Sequence, residues 1–200
     1  MFTDDLKLAL EQDEAIEFEQ YEGETLDNCD AAGIKADNLV FTDCRFFNCD
    51  FSNCSFYNVK FIRCRFDGCV FGDAYFKGTE FTESKADGTV FENAVLKSCL
   101  FSHTSLRYSS FSGAKWQKVT IDNCCCAEGV FSSMELKQIS LKEADFTKAV
   151  FFKTPLKGVD FSSSRLGGIA VSDSLSELYG AKISPFQAAD IVSLLGVEFV

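Results

Sequence analysis

The chain has 200 residues, with 19 Lys plus Arg against 30 Asp plus Glu and a formal net charge of −11. That length suits one domain or one short solenoid, and the acidity makes a binder of phosphate backbones a poor default. No run approaches the ~18 apolar residues of a membrane helix, and with one histidine, His103, no His-based metal cluster is possible.

Residues 1–15 form a lead-in. Met1-Phe2-Thr3-Asp4-Asp5 is acidic and lacks the basic start and apolar centre of a signal peptide. A cytoplasmic, reducing location is therefore expected, and the 10 Cys are expected as free thiols that pack as small apolar groups. The stretch from Asp4 to Glu11 reads as a short helix or a frayed end that could cap the repetitive body beginning at residue 16.

From residue 16 a five-residue period governs the chain. Phe41, Phe46, Phe51, Phe56, Phe61, Phe66, Phe71, Phe76 and Phe81 are evenly spaced, and the same phase continues to Leu166. It spans 26 consecutive positions and holds 16 of the 22 Phe. A second set of small or medium residues lies two positions earlier and holds eight of the 10 Cys. A helix would wind a five-residue stripe around its whole surface, and a strand of period 2 cannot keep it. A bend every five residues can. Each unit then supplies one side of a square, with the large residue and the small one pointing inward. Coils of 20 residues stack about 4.8 Å apart, the spacing of a parallel sheet.

Stretches such as Ala144-Asp145-Phe146-Thr147-Lys148 and Cys49-Asp50-Phe51-Ser52-Asn53 resemble the pentapeptide-repeat family, whose loose consensus is Ala-(Asp/Asn)-Leu-X-X. The resemblance implies an all-β solenoid, a right-handed quadrilateral β-helix over 16–169. Residues 1–15 would be its lead-in, and 170–200 a capping and dimerisation segment. About 7.75 coils would make a rod roughly 37 Å long.

The register writes the core out as ladders. One holds Phe41, Phe61, Phe81 and Phe101; another holds Phe51, Phe71, Phe91 and Phe111; Trp116 is the largest filler. Ala86 and Cys126 occupy large-residue positions, and looser packing is expected there. Cys44, Cys49 and Cys54 fall on adjacent sides of one coil, but no Cys-x-x-Cys spacing exists and a structural zinc site needs four convergent ligands. Neither metal nor cofactor is expected. Cys125 should point outward and be the reactive thiol.

The acidity is uneven. Residues 1–30 carry a net −10, and the rest only −1. On the side centred on Phe56, Phe76, Leu96, Trp116, Leu136 and Leu156, the lysines Lys77, Lys97, Lys137 and Lys157 share one outward position. That column has two readings: a device for solubility, or a surface for an anionic partner. Tyr57 and Tyr75 should be neighbours on the same side. The adjacent side carries Asp50, Asp73 and Glu92.

After Ile169 the phase fails. Ser184 suits a helix N-cap, Pro185 the first helical position and Gly196 a stop. Phe186, Ala189, Val192 and Leu195 should form an apolar face, with Ile191 and Leu194 alongside, that closes the last coil. Phe186, Ile191, Leu194, Leu195 and Phe199 are the candidates for a dimer contact. The segments Leu178-Tyr179-Gly180-Ala181-Lys182-Ile183 and Leu194-Leu195-Gly196-Val197 resemble the tail of the fluoroquinolone-resistance and gyrase-protection subgroup. That resemblance implies a homodimer that imitates B-form DNA and binds a type II topoisomerase. The alternative is an interaction scaffold for another protein. No nucleophile–base constellation suggests an enzyme, and neither direct nucleic-acid binding nor membrane association is expected.

Overall fold

The computed structural model describes residues 1–197, which wind into a four-sided parallel β-solenoid. Helix α1 (Phe2–Gln12) precedes it and a short helix α2 (Ala188–Ser193) ends it. The first side is a seven-stranded sheet running from Ala15–Glu17 to Glu135–Lys137, and the second runs from Gln20–Glu22 to Ser140–Lys142. Every pair of strands is offset by 20 residues, as in Phe41↔Phe61 and Leu96↔Trp116. The third side begins as three strands, Thr25–Asp27, Arg45–Phe47 and Arg65–Asp67, then continues as single bridges. Single bridges alone join the fourth side, Asp50 to Val70 and Val70 to Val90 among them.

The bends have a specific chemistry. Two residues after most large inward residues, the backbone turns left-handed, as at Asn48, Asn58, Asn93, Gly78 and Gly113. Asn and Gly tolerate that conformation best. Where Gly78 follows Asn58 one coil on, an added Cβ would lie 2.7 Å from Asn58 Oδ1. The Asn side chain thus lies over the next glycine.

All nine residues of the expected Phe and Trp ladders are buried. Phe71 and Phe91 stack at 5.1 Å and 6°, and Phe91 and Phe111 at 4.7 Å and 1°. Each such pair adds about 0.5–1.5 kcal/mol beyond area burial. Ala86 and Cys126, at the positions where looser packing is expected, are both fully buried. The third side changes from strand to turn there. Phe81 and Phe91, on either side of Ala86, meet edge to face at 6.2 Å.

The small-residue column explains the cysteines. Most of its hydroxyls and thiols donate to a carbonyl 23 residues earlier, as Cys54 Sγ to Ala31 O (3.1 Å), Thr89 Oγ1 to Phe66 O (2.9 Å) and Thr104 Oγ1 to Phe81 O (3.0 Å). Cys, Thr and Ser therefore interchange as small groups whose polar hydrogen finds a backbone carbonyl, Ser164, whose buried hydroxyl has no partner, excepted. Burial pushes the Cys54 thiol up to about 12, and Cys99 and Cys124 up to about 11. All ten cysteines are free thiols, and Cys29 as well as Cys125 is only half-buried.

The two ends are closed differently. At the start, Phe2, Leu6 and Ala9 of α1 are buried, and the Phe2 ring meets Tyr21 and Phe41 edge-on at 5.0 Å each. At the far end the stacking opens on two sides. The regular pattern has Glu135 N donating to Ala114 O. The equivalent residue one coil later is Pro155, which has no amide hydrogen. Among the described residues Gln138 N–H and Ile139 C=O have no coil-to-coil partner. Residues 156–161 pair onward instead: Leu156 N to Glu177 O, Gly158 N to Gly180 O and Phe161 N to Lys182 O. Leu136, Ile139 and Leu141 are left only partly buried beside a cavity of about 20 Å³.

Candidate interaction surfaces

No group of three His, Cys, Asp or Glu among the described residues is placed to hold a metal ion. No helix among them is long and apolar enough to cross a membrane. The lone His103 is exposed at a bend, its Nδ1 2.9 Å from Ser102 Oγ. The core is filled, so any recognition surface lies on the outer faces or at the ends.

The first side is the most organised face. Tyr57 and Tyr75 lie 5.5 Å apart, and Lys97 Nζ sits 5.2 Å from the centre of the Tyr75 ring, a cation–π distance. Strand register aligns Lys77 with Lys97, Lys97 with Gln117 and Gln117 with Lys137. Lys157 does not join this ladder. Its strand is lost at Pro155, and it flanks the turn at Gly180, where an added Cβ would lie 3.1 Å from Lys157 Cγ. Lys115 pairs with Glu135 at 3.0 Å.

The three acids of the fourth side are all exposed but occupy three different positions of the repeat. Asp50 precedes Phe51 and accepts the Ser52 amide (2.8 Å). Asp73 sits in the left-handed bend after Phe71, and Glu92 accepts from Ser110 Oγ (3.0 Å). They form no single column.

At the far end the apolar face expected to close the last coil points elsewhere. Phe186 is 96 % exposed and Leu195 65 %, while Ile191 and Leu194 are half-buried against the core. Phe199 lies outside the described residues. The closing residue is Gln187: its Nε2 donates to Phe161 O (2.8 Å) and Ser164 O (2.6 Å), and its Oε1 accepts from Ser184 N (2.7 Å). A terminal coil exposes carbonyls that need donors, and an amide supplies them where an apolar side chain could not. Glu177 does the complementary work, accepting from Lys153 N (2.9 Å) and Ser172 Oγ (2.7 Å). Burial alone would raise the Glu177 carboxyl, but the Ser172 and Lys153 hydrogen bonds outweigh it and hold the pKa below its ordinary 4.5. Neither residue has a hydropathy signature. The Ser184-x-x-Gln187 spacing of a capping box was the available signal for Gln187.

Residues 54–129 match the family model described as the pentapeptide repeat region. Among solved structures, the chain is similar to a trypsin-treated form of QnrB1, a plasmid-mediated fluoroquinolone resistance protein. The two are 20 % identical over 93 % of this chain and 97 % of that one, with a TM-score of 0.47. It is also similar to HetL from Nostoc sp. strain PCC 7120, a pentapeptide repeat protein involved in heterocyst differentiation regulation. That match is 14 % identical over 88 % and 92 % of the two chains, with a TM-score of 0.37. Among curated protein sequences the chain has no match. The family model thus covers the middle of the solenoid, and the register recognised over 54–129 is the one that builds the coils on either side of it.

Proposed function

We propose that the protein is a non-enzymatic, homodimeric binding rod that engages a type II topoisomerase, DNA gyrase, as a mimic of duplex DNA and modulates it or shields it from inhibitors. The observation that carries this reading is the far end of the rod. Phe186 and Leu195 stand exposed there, within the tail whose sequence resembles that of the gyrase-protecting subgroup. Exposed aromatic and aliphatic groups at a solenoid end suit an apolar, two-fold joint. Joined at that end, two rods would carry their acidic first coils at the outer tips. The test is a supercoiling assay with purified gyrase, with and without a fluoroquinolone, run beside sedimentation of the same protein. Phe186→Asp with Leu195→Asp should break the end-to-end joint, retain the β signal and lose the effect on gyrase. A wild-type dimer without effect on supercoiling or drug-induced cleavage overturns the gyrase assignment.

A second reading, a scaffold for a different protein, is favoured by the Lys77, Lys97 and Lys137 ladder, because duplex DNA presents no positive stripe. Pull-down with the wild-type rod and with Lys97→Glu separates the two. Loss of a non-topoisomerase partner on Lys97→Glu supports the scaffold.

A further inference from the structure

One column of charges on the first side is arranged unlike those elsewhere. Elsewhere opposite charges pair between successive coils, as in Asp43–Arg63 (2.8 Å), Lys60–Glu80 (3.3 Å), Arg107–Glu128 (3.2 Å) and, on the first side itself, Lys115–Glu135 (3.0 Å). On the first side one outward column reads Glu17, Asp37, Tyr57, Lys77, Lys97. The strand register aligns these five in sequence, coil upon coil. Among the described residues neither these acids nor these lysines form an ion pair within the rod. Asp37 and Lys77 lie two coils apart, about 10 Å, and Glu17 and Lys97 four coils apart, about 19 Å. Pairing within one molecule is out of reach.

We infer that the first side is a lateral interface with a second copy of this chain, the two rods lying antiparallel and face to face. The column is its own complement under a two-fold axis running along the strand Ser55–Tyr57. That rotation reverses the order of coils and keeps each column opposite itself. Tyr57 then meets the second copy's Tyr57, Asp37 meets its Lys77, and Glu17 meets its Lys97. The same rotation sets the second outward column in order: Lys35 faces the second copy's Tyr75, and Ala15 faces its Val95. Tyr57 is 39 % exposed, so the centre of the contact is aromatic and its flanks are charged, the usual arrangement of an interface core and rim. Each contact occurs twice, as a closed two-fold interface requires. This inference concerns a different surface from the tail joint and stands or falls separately from it.

The test starts from the full chain carrying Phe186→Asp and Leu195→Asp, which removes the tail joint at two exposed positions. Two charge variants are made in it, Lys77→Glu with Lys97→Glu and Glu17→Lys with Asp37→Lys. Sedimentation at about 0.05 M salt should show dimers for the parent, weakened at least tenfold at about 0.5 M salt, where screening shortens to a few ångströms. Each charge variant alone should be monomeric, because like charges then oppose each other. Mixed, the two should form a one-to-one dimer, since every apposed pair is again of opposite sign. Circular dichroism checks that the β signal is kept throughout. A parent that is monomeric at low salt, a charge variant that dimerises alone, or a mixture that stays monomeric overturns the inference. A rod joined only by its tail gives monomers in every arm.

Discussion

The coils from Phe41 to Phe111 and the coil from Met134 to Phe161 follow one five-residue register, yet the first stretch is sealed and the second is open on two sides. In the first, each ring sits on another 20 residues away, and the hydrogen bonds between coils continue without a gap. In the second, one missing amide hydrogen at Pro155 coincides with the end of both sheets, at Lys137 and Lys142. A solenoid coil touches only its neighbours. A local mismatch therefore opens a local gap, and the following segment, 177–182, takes up the orphaned strand. Periodicity sets where coils form; continuity of the backbone ladder sets whether they close.

The largest expected effect lies in the sealed stretch. Phe91→Ala removes a ring stacked on both neighbours and should destabilise by about 3–5 kcal/mol. Leu141→Ala, beside the opening, should cost about 1–2 kcal/mol, below the usual range for a core leucine, because its site is already partly solvated. Denaturant titration of both variants checks the difference. Equal costs would mean that the opening is closed in solution.

Next comes the clasp of the open coil. Glu177→Ala should cost about 2–3 kcal/mol, the scale of losing hydrogen bonds to a charged acceptor. Hydrogen exchange should localise the loss to amides 153–182. The carboxyl's folded pKa lies below its ordinary 4.5. Its contribution is therefore fully present above pH 4.5 and is lost as pH falls through the lower, folded value. Acid should loosen this coil before the Phe-stacked ones. Uniform acid unfolding of all coils would contradict that order.

Pro155→Ala gives a smaller effect. It restores a donor opposite Met134 C=O, worth about 0.5–1.5 kcal/mol, and gives back about 0.4–1 kcal/mol through a freer unfolded chain. The net change in stability should stay within about 1 kcal/mol, while protection of the Gln138 amide rises. Unchanged Gln138 exchange would place the cause of the opening outside Pro155.

The smallest effect is on reactivity rather than stability. A thiol reagent should label Cys125 first and Cys29 second, with the remaining eight exposed only by unfolding. Burial, with lesser contributions from Cys49 and Asp30, raises the Cys29 thiol and slows it. Mass mapping of singly labelled protein reads the order.

The five-residue period by itself determined the four-sided coil, the 20-residue offset and the inward Phe ladders, because a large residue at a fixed interval leaves only one buried arrangement. It also placed Tyr57 beside Tyr75. Tertiary structure decided the rest. Gln187 and Glu177 became clasps because a terminal coil exposes backbone groups that only polar side chains can satisfy. Phe186 turned outward because Gln187 took the inward position. Lys157 left its ladder because one proline interrupted the hydrogen bonds on which the register depends. Each of these outcomes depends on a partner about 20 or more residues away, or on a backbone group that carries no side-chain signal.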